Sequence, residues 1–276
     1  MSLPTLVEQS GSPGPPKLPA SPELPKLPKL AGLPIQRVSQ GAPLINMLVY
    51  GESGIGKTRI AGSADAVPAM RRVLLIDVEG GTLTLRDTYP EVETVRVKTW
   101  AEMQGVYDAL FAGNHGYTTI IIDSITEIQK MSMAAVMRRL MEEDGTPGND
   151  IPSLREWGIN LEQTRKFVRA FRDLPVNTVF TALVKTDKNP RNGAIKRKPS
   201  LSGKLSDEIA GFLDIVVYLY AKEINGEHKR ILLCGQTEDT VAKDRSNKLP
   251  MLIEDPTMTN IWELLHNKEN HVALEG

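Results

Sequence analysis

Eight consecutive residues have the types and spacing of a phosphate-binding loop. The pattern G-x-x-x-x-G-K-[ST] is matched by Gly51, Glu52, Ser53, Gly54, Ile55, Gly56, Lys57 and Thr58. It follows an apolar run, residues 44–50, that predicts a buried strand. Glycines let backbone N–H groups turn inward around phosphates, the lysine reaches the β- and γ-phosphates, and the threonine hydroxyl binds Mg²⁺. The pattern therefore predicts a nucleotide site, because a Gly-rich turn before an ordinary helix does not account for Lys57 and Thr58 together.

Two acidic residues lie at the ends of other predicted strands. Asp123 ends the apolar run 119–122, where a carboxylate can hold the water shell of Mg²⁺ opposite the threonine of the loop. An aspartate that caps the following helix would look the same in sequence. Glu79 ends the run 72–78 and precedes two glycines. A carboxylate there can orient and deprotonate an attacking water, or it can be a turn residue.

Strand and helix signals alternate from residue 42 onward, which is typical of an α/β fold with a mostly parallel sheet. The predicted strands are 44–50, 72–78, 94–97, 117–122 and 178–184, followed by a closing antiparallel set at 214–220, 229–234 and 240–243. The predicted helices begin near Lys57 and cover 100–111, 125–141 and 154–174. Asn225-Gly226 predicts a hairpin turn.

Composition indicates one globular domain with a tail, since the 276 residues are 41% hydrophobic and 24% charged. The net charge of -1 gives no overall attraction for nucleic acid, so a nucleic-acid site would have to be a local basic patch. The single cysteine, Cys234, excludes a disulfide framework and is expected in the core. The four histidines lack cysteine partners at zinc-ligand spacing. Without a long apolar run, we expect no membrane insertion and a cytoplasmic location.

Residues 1–40 differ from the core, 41–276, because Leu-Pro units recur through them. Proline removes backbone donors, and the segment has too few aromatic residues to form a core of its own. The sequence predicts a disordered, Pro-rich arm. Such an arm is a solvated spacer, or it docks its leucines into an apolar groove on a protein partner or on the next protomer.

The two strand-end motifs together resemble those of the RecA/RadA recombinase ATPase family. The matching residues are Ile76-Asp77-Val78-Glu79 and Ile121-Ile122-Asp123-Ser124. The resemblance covers about 42–250 and is greatest to compact bacteriophage-encoded members, the RecA-like recombinases and single-strand annealing proteins. It implies a RecA-type P-loop NTPase core with a C-terminal antiparallel extension, and ATP and Mg²⁺ as ligands. It also implies that Glu79 is the catalytic base and Asp123 the Mg²⁺ carboxylate, and that a phage-encoded protein acts in the host cytoplasm.

The same resemblance implies two DNA-binding loops, at 143–153 and 185–203. The first is acidic to neutral, and the second is basic and is expected to be irregular because of its proline and glycine. Its cations are Lys185, Lys188, Arg191, Lys196, Arg197 and Lys198. Such a cluster suits sequence-independent contacts with the backbone of single-stranded DNA. The loop has no aromatic residue, so base stacking is not expected of it, and a solvated basic surface is the alternative.

A last match lies at Val241-Ala242-Lys243-Asp244-Arg245. It resembles a basic pair that reaches the γ-phosphate of the neighbouring subunit in that family. Lys243 and Arg245 would then stabilise transition-state charge in trans, so hydrolysis would require a homo-oligomer, either a ring or a filament. An exposed basic turn is the alternative.

These features lead to one main expectation and two alternatives. The main expectation is a DNA-stimulated ATPase that assembles on single-stranded DNA and promotes annealing or homologous recombination. The first alternative is a nucleotide-gated protein-interaction ATPase, such as a loader or packaging accessory, on which DNA has little effect. The second is a small-molecule kinase. The sequence disfavours it, because no arginine-rich lid follows the core and Glu79 lies where an attacking water is expected.

Overall fold

The computed structural model describes residues 29–30, 33–34, 44–144, 151–188 and 192–266. The chain divides into two units, Met1–Pro43 and Leu44–Gly276.

In the first unit, Lys29–Leu30 (β1) pairs antiparallel with Leu33–Pro34 (β2). Extended backbone at these four residues agrees with a proline-rich composition, and the prediction for the arm as a whole stays a prediction. The remainder of the predicted Pro-rich arm lies outside the described residues.

The second unit is built on a ten-stranded sheet. Its strands are Asn46–Gly51 (β3), Val73–Asp77 (β4), Glu93–Arg96 (β5), Thr119–Asp123 (β6), Asn177–Lys188 (β7), Ile195–Pro199 (β8), Ile215–Ile224 (β9), Glu227–Leu233 (β10), Lys243–Asp244 (β11) and Leu252–Glu254 (β12). The order along the sheet is β12-β10-β9-β3-β7-β6-β4-β5, with β11 paired to β9 and β8 to β7. The pairs from β9 to β5 are parallel, and those of β8, β10, β11 and β12 are antiparallel. The predicted fold class is confirmed.

Helices cover the sheet at Lys57–Gly62 (α1), Trp100–Phe111 (α2), Ile125–Asp144 (α3), Leu154–Arg172 (α4), Leu205–Phe212 (α5) and Met258–His266 (α6). The start of α2 is fixed by a capping box, in which Thr99 accepts from the N–H of Glu102 and Glu102 accepts from that of Thr99. Ser153 and Glu156 start α4 in the same way. The sequence predicts α2 at its observed bounds, whereas it predicts neither α5 nor α6. No helix among the described residues has the length and apolar content needed to cross a membrane.

The core has two layers, one on each face of the sheet. Alternate residues of β3 divide between them: Met47 packs in the layer that contains α1 and α6, and Leu48 in the layer that contains α3 and α4. Strands buried on both faces read as continuous apolar runs, which is why the central strands stand out in the sequence. Cys234 is 1% exposed, and burial raises the pKa of its thiol to about 12, so the predicted core role is confirmed.

One prediction about the later strands is wrong, and another is confirmed but incomplete. The segment 185–203 was expected to be irregular, but β7 continues to Lys188 and β8 returns antiparallel to it, with Lys188 opposite Ile195. Cross-strand pairing outweighs the local polar composition here. In addition, β9 is not only part of the antiparallel set, since it also pairs parallel with β3. The predicted turn is confirmed: Asn225 and Gly226 join β9 to β10 with φ values of 55° and 81°, as a type I′ hairpin turn requires.

The side chain of Asn177 connects the beginnings of three neighbouring strands. It is 3% exposed and stands at the start of β7. Its Oδ1 accepts from the N–H of Ile45 at 2.9 Å, just before β3, and its Nδ2 donates to the carbonyl of Thr118 at 3.0 Å, just before β6. This one side-chain amide thus fixes how β3, β6 and β7 are aligned along the strand direction. The predicted site lies toward the other end of these strands.

Replacing Asn177 by leucine is expected to lower the free energy of unfolding by about 2–3 kcal/mol, because the N–H of Ile45 would remain buried without a partner. Denaturant titration measures the change. Asn192→Leu is the matched control, since its Oδ1 accepts from the N–H of Ala194 in an exposed turn, and its effect should stay within about 0.5 kcal/mol. Equal losses in the two variants would contradict this role.

Candidate nucleotide-binding and hydrolysis site

The predicted phosphate-binding loop lies between β3 and α1, which is the context that its sequence requires. Gly54 and Gly56 have φ values of 74° and 106°, a region that favours glycine. At Gly51 a Cβ atom would lie 2.3 Å from the carbonyl oxygen of Leu219 on β9. A larger residue there would push β3 away from its neighbour. The glycines therefore serve both the turn and the close packing beneath it.

Lys57 is 8% exposed and lies inside the curve of the loop. Its Nζ donates to the carbonyl oxygens of Gly51 and Glu52, at 3.2 and 2.8 Å. Burial lowers the pKa of Lys57, whereas the negative charges of Asp123, Glu79 and Glu52 act in the opposite direction. A buried cation with only carbonyl acceptors is well placed to take an anionic ligand as a further partner.

Asp123, at the end of β6, is 3% exposed and holds two threonines. Its Oδ2 accepts from the hydroxyl of Thr58 at 2.6 Å, and its Oδ1 accepts from the hydroxyl of Thr181 on β7. The structure therefore brings together the two residues that the sequence assigns to Mg²⁺.

This donor set fits Mg²⁺. The ion prefers oxygen ligands and is usually held by one or two carboxylates together with water and substrate phosphates, rather than by an all-protein cage. A hydroxyl and a carboxylate oxygen that meet beside a phosphate loop match that description. Among the described residues, no group of three or more His, Cys, Asp or Glu side chains could form a separate metal cage.

Glu79 lies exposed at the edge of this centre. Its Oε1 accepts from the hydroxyl of Ser124, the residue after Asp123. The following loop passes close to the centre, because a Cβ atom at Gly81 would lie 3.7 Å from Oδ2 of Asp123 and 3.9 Å from Oγ1 of Thr58. The position suits a base that acts on a water beside a bound phosphate.

The turn that carries Glu79 is held by Asp77, the last residue of β4. One oxygen of this buried carboxylate accepts from the N–H of Gly80 at 2.6 Å, and the other from Arg96 on β5 at 2.8 Å. Sequence reasoning treated Asp77 only as part of a motif and did not find Arg96 or Thr181. Arg96 and Thr181 belong to no local motif. Each lies on a strand, and only the pairing of that strand with its neighbours brings the residue to the site.

Arg230 is a further residue that the sequence did not indicate. It lies on β10, and its Nε donates to the carbonyl of Ile55 at 2.9 Å across 175 residues of sequence. The same atom lies 3.0 Å from where a Cβ of Gly56 would be. It is exposed and has no carboxylate partner within 4.0 Å among the described residues. Its charge therefore adds to the positive potential at the mouth of the loop.

Lys243 and Arg245 lie away from the phosphate loop of their own chain. Lys243 pairs opposite Val216, level with the start of β3, whereas the loop follows the end of that strand. Its Nζ donates to the carbonyls of Ala210 and Leu213 at the end of α5, at 2.6 and 3.1 Å. Arg245 forms an exposed ion pair with Asp214, at 2.6 Å. Neither cation can serve the phosphate loop of the same subunit in this arrangement.

On the β7–β8 hairpin, the cations predicted to bind DNA fall into two groups, those that contact other groups of the chain and those that are exposed. Three contact groups of the same chain: Lys185 donates to the carbonyl of Leu201 at 2.6 Å, Arg197 pairs with Asp239, and Lys198 bridges Asp187 and Asp207 at 2.8 and 3.0 Å. Lys198 is only 9% exposed, so it faces inward and stabilises the hairpin. Lys188 and Lys196 are exposed. Arg191 and residues 145–150 of the first predicted loop lie outside the described residues.

Removing the hydroxyl of Thr181 should weaken the binding of Mg²⁺ with ATP, because Asp123 would lose one of the two donors that orient it. We expect Thr181→Val to lower the affinity by about tenfold or more, as loss of a group that orients a metal ligand does. Titration with ATP at several Mg²⁺ concentrations measures this.

Thr178→Val is the matched control for that change. Thr178 is equally buried on the same strand, but its hydroxyl donates to the carbonyl of Phe171, away from the site. If both variants bind ATP with Mg²⁺ equally well, the contact with Thr181 does not orient Asp123.

Comparison with known proteins gives one family match. The model of the AAA domain family matches residues 44–246. No curated protein sequence gives a significant match. Among solved structures, a KaiC-like protein from the hyperthermophilic archaeon Pyrococcus horikoshii OT3 is 18% identical, with a TM-score of 0.41 and coverage of 71% of this chain and 80% of that chain. The flagellar accessory protein FlaH from Methanocaldococcus jannaschii is 10% identical, with a TM-score of 0.44 and coverage of 78% and 87%. These low scores carry no conclusion about ligands.

The family match spans about three-quarters of the chain and includes every residue of the centre described above, Arg230 among them. The matched range begins at the phosphate-loop strand and includes Asp123, Glu79 and Thr181. The chain belongs to the AAA domain family and is a P-loop ATPase built on a mostly parallel sheet.

Proposed function

We propose that this ATPase assembles on single-stranded DNA and promotes annealing or homologous recombination. The observation that carries the proposal is the course of β7. This strand places Thr181 against Asp123 at the nucleotide centre and, four residues later, Lys185 at the base of the basic hairpin. A DNA strand on the hairpin would therefore contact the same strand that orients the metal-binding carboxylate.

The nucleotide chemistry follows from the positions of the side chains. The loop amides and Lys57 hold the β- and γ-phosphates, with Arg230 at the mouth of the loop. Bound Mg²⁺ supplies neutralisation of the phosphate charge that develops during transfer. Glu79, held by Ser124, accepts a proton from the attacking water.

The DNA contacts in this proposal are to the phosphate backbone and are independent of sequence. Lys188 and Lys196 are exposed on the hairpin and can bind phosphates directly. Arg191 belongs to the same proposed group, although it lies outside the described residues. Lys185 and Arg197 would exchange their internal partners for phosphate, while Lys198 keeps the hairpin in place through Asp187 and Asp207.

The proposal also includes assembly of the subunits into an oligomer. Lys243 and Arg245 act on the γ-phosphate of the neighbouring subunit in a ring or a filament, because they cannot reach the loop of their own chain. The Pro-rich arm docks on a neighbouring protomer or a protein partner. The protein acts in the cytoplasm, that of the host cell if it is phage-encoded.

One observation favours a second candidate function. Arg197 and Lys198 are neutralised by three carboxylates of the same chain, Asp239, Asp187 and Asp207. A segment whose charges are balanced internally is also suited to a protein surface. A nucleotide-gated protein-interaction ATPase, such as a loader or packaging accessory, would have this property, and DNA would then have little effect on hydrolysis.

ATP hydrolysis measured with and without single-stranded DNA separates the two functions. We expect DNA to raise the turnover rate, because it binds the strand that orients Asp123. Lys57→Ala should abolish nucleotide binding, and Glu79→Gln should leave binding intact while lowering turnover at least a hundredfold, as loss of a general base does. Turnover that is indifferent to DNA in the unchanged protein would favour the protein-interaction function.

Mixing two inactive variants tests the proposed action across the subunit interface. Arg245→Ala subunits keep Glu79, and Glu79→Gln subunits keep Arg245, so a mixed oligomer contains some interfaces with both groups. We expect hydrolysis to recover partly at intermediate ratios. A mixture of Lys57→Ala and Glu79→Gln subunits is the control. It should stay inactive, because each nucleotide site lacks one essential group. No recovery at any ratio in the first mixture would exclude the role of Arg245 in trans.

A further inference from the structure

A second pocket opens beside the base of the hairpin, away from the phosphate loop. It has a volume of about 340 Å³ and lies between α3, α4 and the segment that follows β8. Its walls include Thr126, Gln129, Lys130, Trp157, Asn160 and Lys185. This volume is at the small end of the range for ligand sites, about 300–1,000 Å³, so the pocket suits a ligand no larger than a nucleoside.

Two buried side-chain amides line this pocket. Gln129 is 4% exposed and Asn160 is 1% exposed. The Oε1 of Gln129 accepts from the N–H of Ser202 at 2.7 Å, but its Nε2 has no hydrogen-bond partner among the described residues, and neither Oδ1 nor Nδ2 of Asn160 has one. Buried polar groups are almost always paired, and leaving one unpaired is costly. The two amides therefore indicate a ligand that offers both donors and acceptors.

The other walls add an aromatic face and positive charge. Trp157 is 41% exposed on the first turns of α4. Lys130 is exposed on α3, where it pairs with Glu127. Lys185 is half-buried, and burial together with the nearby charge of Lys198 lowers its pKa. An aromatic surface, amide groups and cations around one small cavity are the groups that bind a base and its adjoining phosphates.

We propose that this pocket binds one base of single-stranded DNA, an inference that rests on the proposed function. The base stacks on Trp157 and turns its hydrogen-bonding edge toward Asn160 and Gln129, and the adjoining phosphates contact Lys130 and Lys185. Bases of every kind offer an aromatic face and a mixed donor and acceptor edge, so the site needs no particular sequence. The aromatic group that the basic segment lacks is thus supplied by α4.

The test compares an oligothymidylate with an abasic strand of equal length and equal charge. The unchanged protein should bind the oligothymidylate about tenfold more tightly, since stacking of one base contributes roughly 5- to 150-fold in affinity. Trp157→Ala and Asn160→Leu should bring the affinity ratio of the two strands close to one. Trp157→Phe, which keeps an aromatic face, should preserve most of it.

The double variant Lys188→Ala with Lys196→Ala is the matched control. It should weaken the binding of both strands and flatten their salt dependence by about one unit of slope per lost contact, while the ratio between them stays unchanged. Fluorescence anisotropy of labelled strands over a range of salt concentrations gives both quantities.

The outcomes distinguish failure of the pocket proposal from failure of the proposed function. If the unchanged protein binds both strands equally, or if Trp157→Ala and Asn160→Leu leave the ratio intact, the pocket does not hold a base, although the protein still binds DNA. If neither strand binds even at low salt, the proposed function fails and the pocket proposal fails with it. Because Trp157 is partly exposed, its replacement tests the proposal even if Asn160→Leu fails to fold.

Discussion

The carboxylate of Asp123 is the group on which the rest of the centre depends. It is almost fully buried, and a buried carboxylate is stable only when its oxygens are paired. Thr58 and Thr181 provide those pairs from α1 and β7, on either side of it. The contact requires that β3 and β6 both end beside the same part of β7, with Gly51 opposite Leu183 and Ile122 opposite Phe180. The parallel sheet is thus what brings three distant segments together at the predicted metal site.

The sequence predicts those parts of the fold and site that are local. The spacing within the phosphate loop, the apolar strands that end at Asp123 and Glu79, and the apolar spacing of α2 all lie within a few residues, where the backbone and its neighbours decide the structure. Arg230 could not be found in this way, because its contact with Ile55 exists only through the pairing of β9 with β3 and β10. The β7–β8 hairpin was missed for a related reason, since its residues are polar and become strands only through pairing with each other.

Charge balance explains why the basic segment folds as it does. Six cations within fourteen residues would repel one another on a free loop, and the structure offsets this by bringing carboxylates from other elements. Asp207 comes from α5 and Asp239 from the segment after β10. The inward-facing Lys198 therefore acts as an anchor. Lys188 and Lys196 are exposed farther along the hairpin and keep their charge available, so that anchoring and the proposed binding are assigned to different positions along its length.

The course of β7 gives the proposed DNA pocket a short physical connection to the nucleotide centre. Thr181 binds Asp123, the N–H of Leu183 donates to Thr126 at 3.1 Å, and Lys185 forms a wall of the pocket. Thr126 and Gln129 belong to the first turns of α3, directly after Asp123. A ligand in the pocket changes hydrolysis only if it binds two arrangements of these elements with different affinity. Because β7 and α3 contact both sites within a few residues, a small shift of either element would reach Asp123 without passing through the rest of the core.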